Sequence, residues 1–262
     1  GIQSFNDAQL KRLGRVHSAQ EAIRAVEIAH HAGFERLNLD LMFGLPDSAE
    51  QDSLNDVQQA IDLQPSHLSF YQLTLEPNTY FHKYPPVLPG DDAIVKAQLA
   101  CQTRLAKHGY QQYEISAYAQ AKQQCQHNIN YWSFGDYLGI GAGAHGKITQ
   151  GLPDNIVRTV KAKQPEQYLR QHKDDRLSQL IDVNDLPLEF VMNHLRLKGG
   201  FSLDTYQQRT GLGLESLQPA LNQCVQQGLL LQQQQHYFCS EKWWYFLDSI
   251  LEHFLSTDIT DA

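Results

Sequence analysis

One carboxylate interrupts an otherwise apolar segment in the first part of the chain. Asp40 lies within residues 37–43, a near-continuous apolar run that is typical of a parallel strand covered on both faces. Gly44 and Pro46 mark the end of this strand. A charge is costly there unless it is paired or hydrogen-bonded, and α/β folds bind ligands beyond the carboxyl ends of parallel strands. Asp40 therefore either contacts a ligand, or caps its own loop or pairs with a structural arginine.

Two more polar residues fall near predicted strand ends or in the loops after them. The amide of Gln3 can donate and accept hydrogen bonds, and the guanidinium of Arg15 can hold a carboxylate in a bidentate pair. Asp40 can accept hydrogen bonds from sugar hydroxyls. Arg15 also fits a solvated charge at a helix end, so each residue alone is a weak indication of a site.

A histidine and two large aromatic residues lie close together in the segment Cys125-Gln-His-Asn-Ile-Asn-Tyr-Trp132. His127 can supply an axial imidazole, and Tyr131 and Trp132 can supply flat apolar surfaces, as haem or another planar tetrapyrrole requires. The residue types alone favour the alternative, in which His127 bonds to backbone and the aromatic rings belong to a core.

Glycines recur in Gly139-Ile-Gly-Ala-Gly-Ala-His-Gly146, which contains a formal GxGxxG from Gly141 to Gly146. A dinucleotide-binding motif should open a helix, but the residues that follow predict a strand and then a turn, which excludes that function. Alternate glycines in a strand let its backbone approach a ligand or a neighbouring element closely. His145 in this strand either faces a ligand or is a hydrogen-bonded core imidazole.

Helical and extended patterns alternate through the first 117 residues. A capping box at Ser18–Glu21 predicts a helix to about His31, with Gly33 after its end. The remaining predicted elements of this region are strands at 37–43, 67–75 and 111–118 and helices at 49–63 and 91–108. This succession indicates a parallel sheet with helices outside it, either barrel-like or doubly wound.

A second region, from about Gln164 to the end, is mostly helical. The pattern predicts helices at Asn184–Leu197, Leu203–Thr210, Leu214–Gln227 and Lys242–Phe254, and strands at Leu229–Leu231 and His236–Cys239. Helices with a small hairpin resemble a winged-helix module. The helix that would read DNA contains Glu215 and no lysine or arginine, so a packing or lid domain is the better interpretation.

Composition narrows the class of protein. The net charge of −8 argues against a nucleic-acid partner, because phosphate binding needs a local excess of Lys and Arg. The longest apolar runs are too short for a membrane span, which argues against an integral membrane protein. The four cysteines include no CxxC pair and predict reduced thiols in a cytoplasmic protein. Because the first residues read as the end of a strand, we expect the chain to be part of something longer.

Five segments together resemble one known family. They are Gly1-Ile-Gln-Ser-Phe-Asn6, Asn38-Leu-Asp-Leu-Met-Phe-Gly-Leu-Pro46, Tyr71-Gln-Leu-Thr-Leu-Glu-Pro-Asn-Thr79, His127-Asn-Ile-Asn-Tyr-Trp132 and Gly139-Ile-Gly-Ala-Gly-Ala-His-Gly146. In this order they are similar to the HemW-type radical-SAM haem chaperones, a branch of the oxygen-independent coproporphyrinogen III oxidase-like family. The resemblance spans nearly the whole chain.

The family implies an α/β fold in three parts. Residues 1–120 would form the later half of a radical-SAM partial (β/α) barrel. Residues 121–163 would connect the barrel, through an aromatic and glycine-rich segment with the HNxxYW motif, to the next domain. Residues 164–262 would form a small, mostly helical, winged-helix-like C-terminal domain.

Site residues carry over by motif. Gln3, Arg15 and Asp40 match residues that bind S-adenosylmethionine (SAM) in the family. His127 heads the HNxxYW motif associated with haem binding, which makes it the candidate ligand of the haem iron. Tyr131, Trp132 and His145 are further candidate haem contacts.

The resemblance implies a haem-binding chaperone that transfers haem to an acceptor protein. The alternative is an oxygen-independent coproporphyrinogen III oxidase, which decarboxylates its substrate oxidatively in porphyrin biosynthesis. The family holds a [4Fe–4S] cluster with a CxxxCxxC loop, and that motif does not occur in these 262 residues. We therefore expect the chain as given to be unable to cleave SAM reductively, and leave open whether it belongs to an enzyme.

Overall fold

The computed structural model describes residues 1–170 and 177–255. Short stretches of the predicted C-terminal domain, 171–176 and 256–262, lie outside them. The chain divides into two compact units, Gly1–Cys125 and Gln126–Ala262. Within the described ranges, none of the helices combines the length and the apolar character needed to cross a bilayer.

The first unit contains a four-stranded sheet and five helices. Its strands are β1 (Asn38–Phe43), β2 (His67–Gln72), β3 (Gln111–Glu114) and β4 (Ala117–Ala119), and its helices are α1 (Asp7–Arg12), α2 (Ala19–His31), α3 (Glu50–Asp62), α4 (Tyr80–Lys83) and α5 (Asp91–Lys107). The strand order is β1-β2-β4-β3. A further parallel bridge joins Gln3 to Leu41, beside β1.

The start of α2 follows the sequence prediction. The Ser18 hydroxyl accepts a hydrogen bond from Glu21 N at 3.3 Å, and the Glu21 carboxylate accepts one from Ser18 N at 2.8 Å, so both halves of the capping box form. The helix ends at His31, and Gly33 adopts a φ of 86°, as expected for the glycine that stops a helix.

The prediction of a parallel sheet is right only for part of it. β1 and β2 pair in parallel, whereas β4 runs antiparallel to both β2 and β3. The predicted single strand 111–118 is wrong, because the chain reverses between β3 and β4. The Glu114 carboxylate accepts hydrogen bonds from Ser116 N (3.0 Å) and Ser116 Oγ (2.9 Å), which stabilises a turn that a periodicity argument does not detect.

The two faces of β1 and β2 differ in chemistry. Leu39, Leu41 and Phe43, with Leu68 and Phe70, are buried in the cluster that also contains apolar residues of α2, α3 and α5. Because side chains alternate along a strand, Asn38 and Asp40 share the opposite face with His67, Ser69 and Tyr71, which the parallel register sets alongside them. The sheet therefore has a helix-covered apolar face and a polar face.

The second unit contains two small antiparallel sheets. One has the order β5-β6-β7, formed by β5 (His145–Gly151), β6 (Asn155–Val160) and β7 (Leu177–Leu180). The helices α6 (Gln126–Trp132) and α7 (Pro165–Arg170) belong to the same part of the chain. The pairing of β6 with β7 joins residues from the predicted connecting region to residues from the predicted C-terminal domain.

The other sheet lies among the C-terminal helices. It has the order β8-β10-β9, from β8 (Phe201–Ser202), β9 (Leu230–Gln233) and β10 (His236–Cys239), and its helices are α8 (Leu186–His194), α9 (Leu203–Thr210), α10 (Ala220–Gln226) and α11 (Leu247–Leu251). Short 3₁₀ helices cover Leu214–Leu217 and Glu252–Phe254. The core of this part centres on Phe190, which contacts the rings of Phe134, His194, Phe201 and Tyr206.

Two predicted helices in this region are wrong in extent. The predicted helix Leu214–Gln227 is interrupted at Gln218-Pro219, because proline has no N–H to continue the hydrogen-bond ladder. The predicted helix Lys242–Phe254 begins only at Leu247. Before it, Ser240 O accepts hydrogen bonds from the backbone N–H groups of residues 243 and 244, and Trp244 Nε1 donates to Leu195 O at 3.0 Å, which holds this segment in a turn.

Candidate functional site

Gln3 and Asp40 lie side by side at one edge of the first unit's sheet. Gln3 N donates to Asp40 O at 2.7 Å, and Met42 N donates to Gln3 O at 2.8 Å. Gln3 has a φ of 72°, in the left-handed region that is uncommon for residues other than glycine. Two backbone hydrogen bonds thus hold a strained residue against β1, as often happens at binding sites.

Tyr71 determines which end of the Gln3 amide is free. Its hydroxyl donates to Gln3 Oε1 at 2.7 Å. Because this bond occupies the carbonyl oxygen, the amide nitrogen points the other way, toward Gly1. A Cβ added at Gly1 would collide with Gln3 Nε2 and lie 3.5 Å from Asp40 Oδ2, so the Gln3 amide donor and an Asp40 acceptor converge on one small region.

The Asp40 carboxylate has a different partner at each oxygen. Its Oδ1 accepts a hydrogen bond from Asn38 Nδ2 at 2.7 Å. Its Oδ2 faces Gly1, whose nitrogen is 3.6 Å away, and 33% of the Asp40 side chain is exposed. The carboxylate is therefore oriented by the protein and still accessible to a ligand.

The Arg15 guanidinium acts electrostatically on Tyr71, in the same region. Burial, the largest cause, and the Asp40 carboxylate raise the pKa of Tyr71, whereas the Gln3 hydrogen bond and the Arg15 guanidinium lower it. Arg15 itself is exposed, just after Gly14 with its φ of 69°. The structure thus brings Gln3 and Asp40 together around Tyr71 and puts the charge of Arg15 within electrostatic reach.

Sequence reasoning missed Asp56, the residue that anchors the Gln3 segment. The carboxylate of Asp56, on α3, accepts hydrogen bonds from Ser4 Oγ (2.6 Å) and Phe5 N (2.7 Å). Burial raises the pKa of Asp56 to about 6, although both hydrogen bonds act in the opposite direction. The helical period was a usable signal, because Ser53, Asp56 and Val57 share the buried face of α3.

The second unit carries the other predicted site residues. His127 and Tyr131 are four positions apart on α6 and so share a helix face. The Tyr131 ring packs 5.0 Å from that of Tyr137 and 4.7 Å from that of Trp132. His127 is exposed, and Tyr131 keeps 36% of its surface exposed. The exposure of Tyr131 does not fit the alternative in which both aromatic rings belong to a core.

Trp132 has a different environment from its neighbours. It is partly buried, and the guanidinium carbon of Arg196 lies 4.3 Å from the centroid of its ring. One surface of the indole therefore already contacts a cation, an arrangement that stabilises an aromatic ring in place.

His145 begins β5, next to this aromatic cluster along the chain. Tyr137 pairs with Lys147 in an antiparallel bridge, and a Cβ at Gly139 would collide with His145 O. These contacts show that residues 137–139 run beside residues 145–147. His145 is exposed, so the alternative of a core imidazole is wrong for this residue.

The glycine segment is a turn up to Ala144, and the predicted strand that contains His145 begins only at that residue. Gly141 and Gly143 have φ values of 107° and 73°, which favour glycine because other residues lack room in this conformation. The chain then enters β5 rather than a helix, which agrees with the rejection of a dinucleotide-binding motif.

An ion pair between a buried lysine and an exposed aspartate lies beside the aromatic cluster. Lys147 Nζ donates to Asp136 Oδ1 at 2.9 Å and lies 4.2 Å from the centroid of the Phe134 ring. Burial lowers the pKa of Lys147 despite this partner. Burial and the neighbouring Tyr131 raise the pKa of Tyr137 to about 12. Both tyrosines line a small cavity with Lys147 and Arg158.

The described residues offer poor ligands for an iron–sulfur cluster. In the ranges 1–170 and 177–255, no three His, Cys, Asp or Glu side chains lie close enough together to hold a metal ion. Burial raises the pKa of Cys101 and of Cys239 to about 12 and that of Cys224 to about 11. These thiols stay protonated, whereas metals bind the thiolate. The described residues therefore do not fit a cluster.

Comparisons with known proteins give a consistent picture. Residues 181–246 match the model of the HemN C-terminal domain. The chain is 46% identical to the heme chaperone HemW of Escherichia coli (strain K12) over 98% of its own length and 67% of that protein. It is 43% identical to the heme chaperone HemW of Haemophilus influenzae, with the same coverage of both chains.

More distant relatives agree. The heme chaperone HemW of Bacillus subtilis (strain 168) is 31% identical over 88% of this chain and 62% of its own. A solved structure, described as "Coproporphyrinogen III oxidase (HemN) from Escherichia coli is a Radical SAM enzyme", superimposes with a TM-score of 0.74 at 17% identity, over 96% of this chain and 62% of that one. At that identity the likeness shows the fold alone. The chain spans about two thirds of the length of the curated relatives it matches.

Proposed function

Because the chain belongs to the heme chaperone HemW family, we propose that it binds haem and passes it to an acceptor protein, on a scaffold that also binds SAM. The observation that carries the proposal is the exposed His127 on α6, one turn before the partly exposed Tyr131. An accessible imidazole beside an aromatic surface has the chemistry that haem iron and the porphyrin plane require.

His127 is the proposed iron ligand and His145 the second candidate. Tyr131 would contact the porphyrin with its exposed surface. Trp132 would do so from a fixed position, because Arg196 already covers part of its ring. Haem would supply its own redox and ligand-binding chemistry, and these residues would hold and release it.

SAM would bind at the polar edge of the first unit. The free Gln3 amide donor and Asp40 acceptor suit the hydroxyl and amine groups of a nucleoside derivative, and Arg15 suits the carboxylate of its methionine part. In this family, SAM on a [4Fe–4S] cluster supplies radical chemistry. Because the described cysteines do not fit a cluster, we propose that the chain alone does not cleave SAM.

We propose that the fold has three parts. Residues 1–120 would be part of a (β/α) barrel, and residues 121–163 would carry the haem motif. Residues 164–262 would form a winged-helix-like domain that serves as a packing or lid domain and does not bind DNA. We propose a cytoplasmic location, which the four free thiols support.

The alternative function is that of an oxygen-independent coproporphyrinogen III oxidase. The favouring observation is the structural similarity to HemN. The relatives with higher sequence identity are named heme chaperones, and the exposed HNxxYW segment is explained by haem binding and not by the oxidase.

Haem titration of the full-length protein tests the proposal. We expect one haem per chain with a shifted Soret band in the wild type, and loss of that shift in His127→Ala. The control is His108→Ala, which removes an exposed histidine of the first unit. Wild-type spectra in both His127→Ala and His145→Ala would exclude this site, and turnover of coproporphyrinogen III without haem binding would favour the oxidase.

A further inference from the structure

We infer that Asn38 and His67 are positioning residues, which orient the Asp40 carboxylate so that it selects for the ribose hydroxyls of a bound nucleoside derivative. The inference deepens the proposed SAM site and depends on it. It is drawn from a chain of hydrogen bonds that crosses from β2 to β1 on the polar face of the sheet.

The first step of the chain fixes the Asn38 amide. Asn38 Oδ1 accepts hydrogen bonds from His67 Nδ1 at 2.6 Å and from Ser69 Oγ at 3.1 Å. The amide nitrogen therefore points away from β2 and donates to Asp40 Oδ1 at 2.7 Å. The reverse orientation of the amide would set its carbonyl oxygen against the carboxylate, so the network permits only one arrangement.

The second step fixes the His67 ring. A carbonyl oxygen has no proton to give, so His67 Nδ1 carries the proton in its bond to Asn38. His67 Nε2 is then an acceptor, and the Tyr113 hydroxyl lies 2.8 Å from it. Burial lowers the pKa of His67, although Asp40 and Glu114 act against it, so the neutral ring that this arrangement needs is favoured.

The result is a carboxylate with one defined orientation. Parallel pairing sets Asn38 beside His67 and Asp40 beside Ser69, so two rigid strands support the network. Asp40 Oδ2, which lies 3.6 Å from the Gly1 nitrogen, keeps lone pairs for further hydrogen bonds, and so does Oδ1. A pair of neighbouring hydroxyls can then be recognised by both oxygens only if the plane of the carboxylate is fixed.

A contribution to folding stability does not explain the hydrogen bonds of Asn38. Its side chain is exposed, so its removal creates no cavity in the core. Three polar atoms nevertheless converge on its amide, from His67, Ser69 and Asp40. An exposed residue with this many directed contacts fits a role in orienting its neighbour better than a role in packing.

A comparison of two ligands distinguishes a positioning role of Asn38 and His67 from a role in protein stability. In the full-length protein reconstituted with iron and sulfide, the dissociation constants of S-adenosylhomocysteine and of its 2′-deoxy analogue are measured by calorimetry. We expect the wild type to bind the deoxy analogue at least tenfold more weakly, because a hydrogen bond to a charged acceptor is lost. In Asn38→Ala and His67→Phe the ratio of the two dissociation constants, deoxy analogue over S-adenosylhomocysteine, should fall to about threefold or less.

The controls make each outcome decisive. Asn55→Ala, an exposed asparagine on α3, should keep the wild-type ratio. If Asp40→Ala binds both ligands as the wild type does, the proposed SAM site is wrong. If Asp40→Ala removes the discrimination but Asn38→Ala and His67→Phe keep the full ratio, or weaken both ligands equally, the positioning inference is overturned while the SAM site stands.

Discussion

The carboxylate of Asp56 accepts a 2.6 Å hydrogen bond from the hydroxyl of Ser4, a residue 52 positions earlier in the chain. A second bond, from Phe5 N at 2.7 Å, uses the other carboxylate oxygen. Together they tie α3 to the backbone that directly follows Gln3. The position of Gln3 in the candidate SAM site thus depends on a residue that need not touch the ligand.

Replacement of Asp56 by alanine should destabilise the first unit. The change leaves the buried hydroxyl of Ser4 and the N–H of Phe5 without their acceptor, which costs about 3 kcal/mol in total after the gain from removing a buried charge. Urea unfolding of the variant measures this loss. Asp62→Ala, an exposed position on the same helix, is the matched control and should change the free energy of unfolding little.

The same residue predicts an unusual dependence of stability on pH. The pKa of Asp56 is raised to about 6 in the folded protein from an ordinary 3.8. Between these values the folded state binds a proton before the unfolded chain does, so this residue's contribution to stability rises as the pH falls from 6 to 4. The full gain is about 3 kcal/mol.

Asp56→Asn removes this titration and is the test. We expect the difference in unfolding free energy between wild type and variant to shift in favour of the wild type as the pH decreases from 7 to 4. A constant difference across that range would show that burial does not raise the pKa of Asp56.

The sequence predicted single elements better than their arrangement. The capping box of α2 and the strand around Asp40 follow from local spacing and apolar pattern, and both are found. The hairpin between β3 and β4 depends on hydrogen bonds from Ser116 to Glu114. Such a contact of one side chain with a turn leaves no periodic pattern.

Only part of the candidate site could be predicted from the sequence, because local patterns do not show how separate segments are arranged. Asp40 was conspicuous because a charge interrupts an apolar run. Tyr71 and Asn38 were not, because their partners depend on how β1 and β2 align, and a shift of one residue would have put them on the apolar face. Strand register is set by the whole sheet and is not encoded in either segment alone.

Removal of the Tyr71 hydroxyl should weaken nucleoside binding without loss of the fold. In Tyr71→Phe the Gln3 carbonyl loses its donor, and the amide is free to rotate away from the ligand. We expect S-adenosylhomocysteine to bind about three- to tenfold more weakly, since one hydrogen bond contributes about 1 kcal/mol. Calorimetry measures this change, and Tyr80→Phe, on an exposed ring, is the control. Unchanged affinity would mean that the Gln3 amide is oriented without Tyr71.

The buried His194 should make the second unit respond to pH in the opposite direction from Asp56. Burial is the main cause that lowers the pKa of His194 to about 4 from 6.5, and the hydrogen bond to Gly200 O compensates only in part. As the pH falls from 6.5 to 4, the unfolded chain takes up this proton first, so the stability that His194 contributes is lost over that interval.

In His194→Gln the loss should disappear, and the variant should gain about 3 kcal/mol of unfolding free energy relative to the wild type between pH 7 and 4. Unfolding monitored by tryptophan fluorescence measures this change, because all three tryptophans lie in the second unit. His108→Gln, an exposed histidine, should leave the pH dependence as it is, and a His194→Gln curve parallel to the wild type would contradict the assignment of a neutral, desolvated ring.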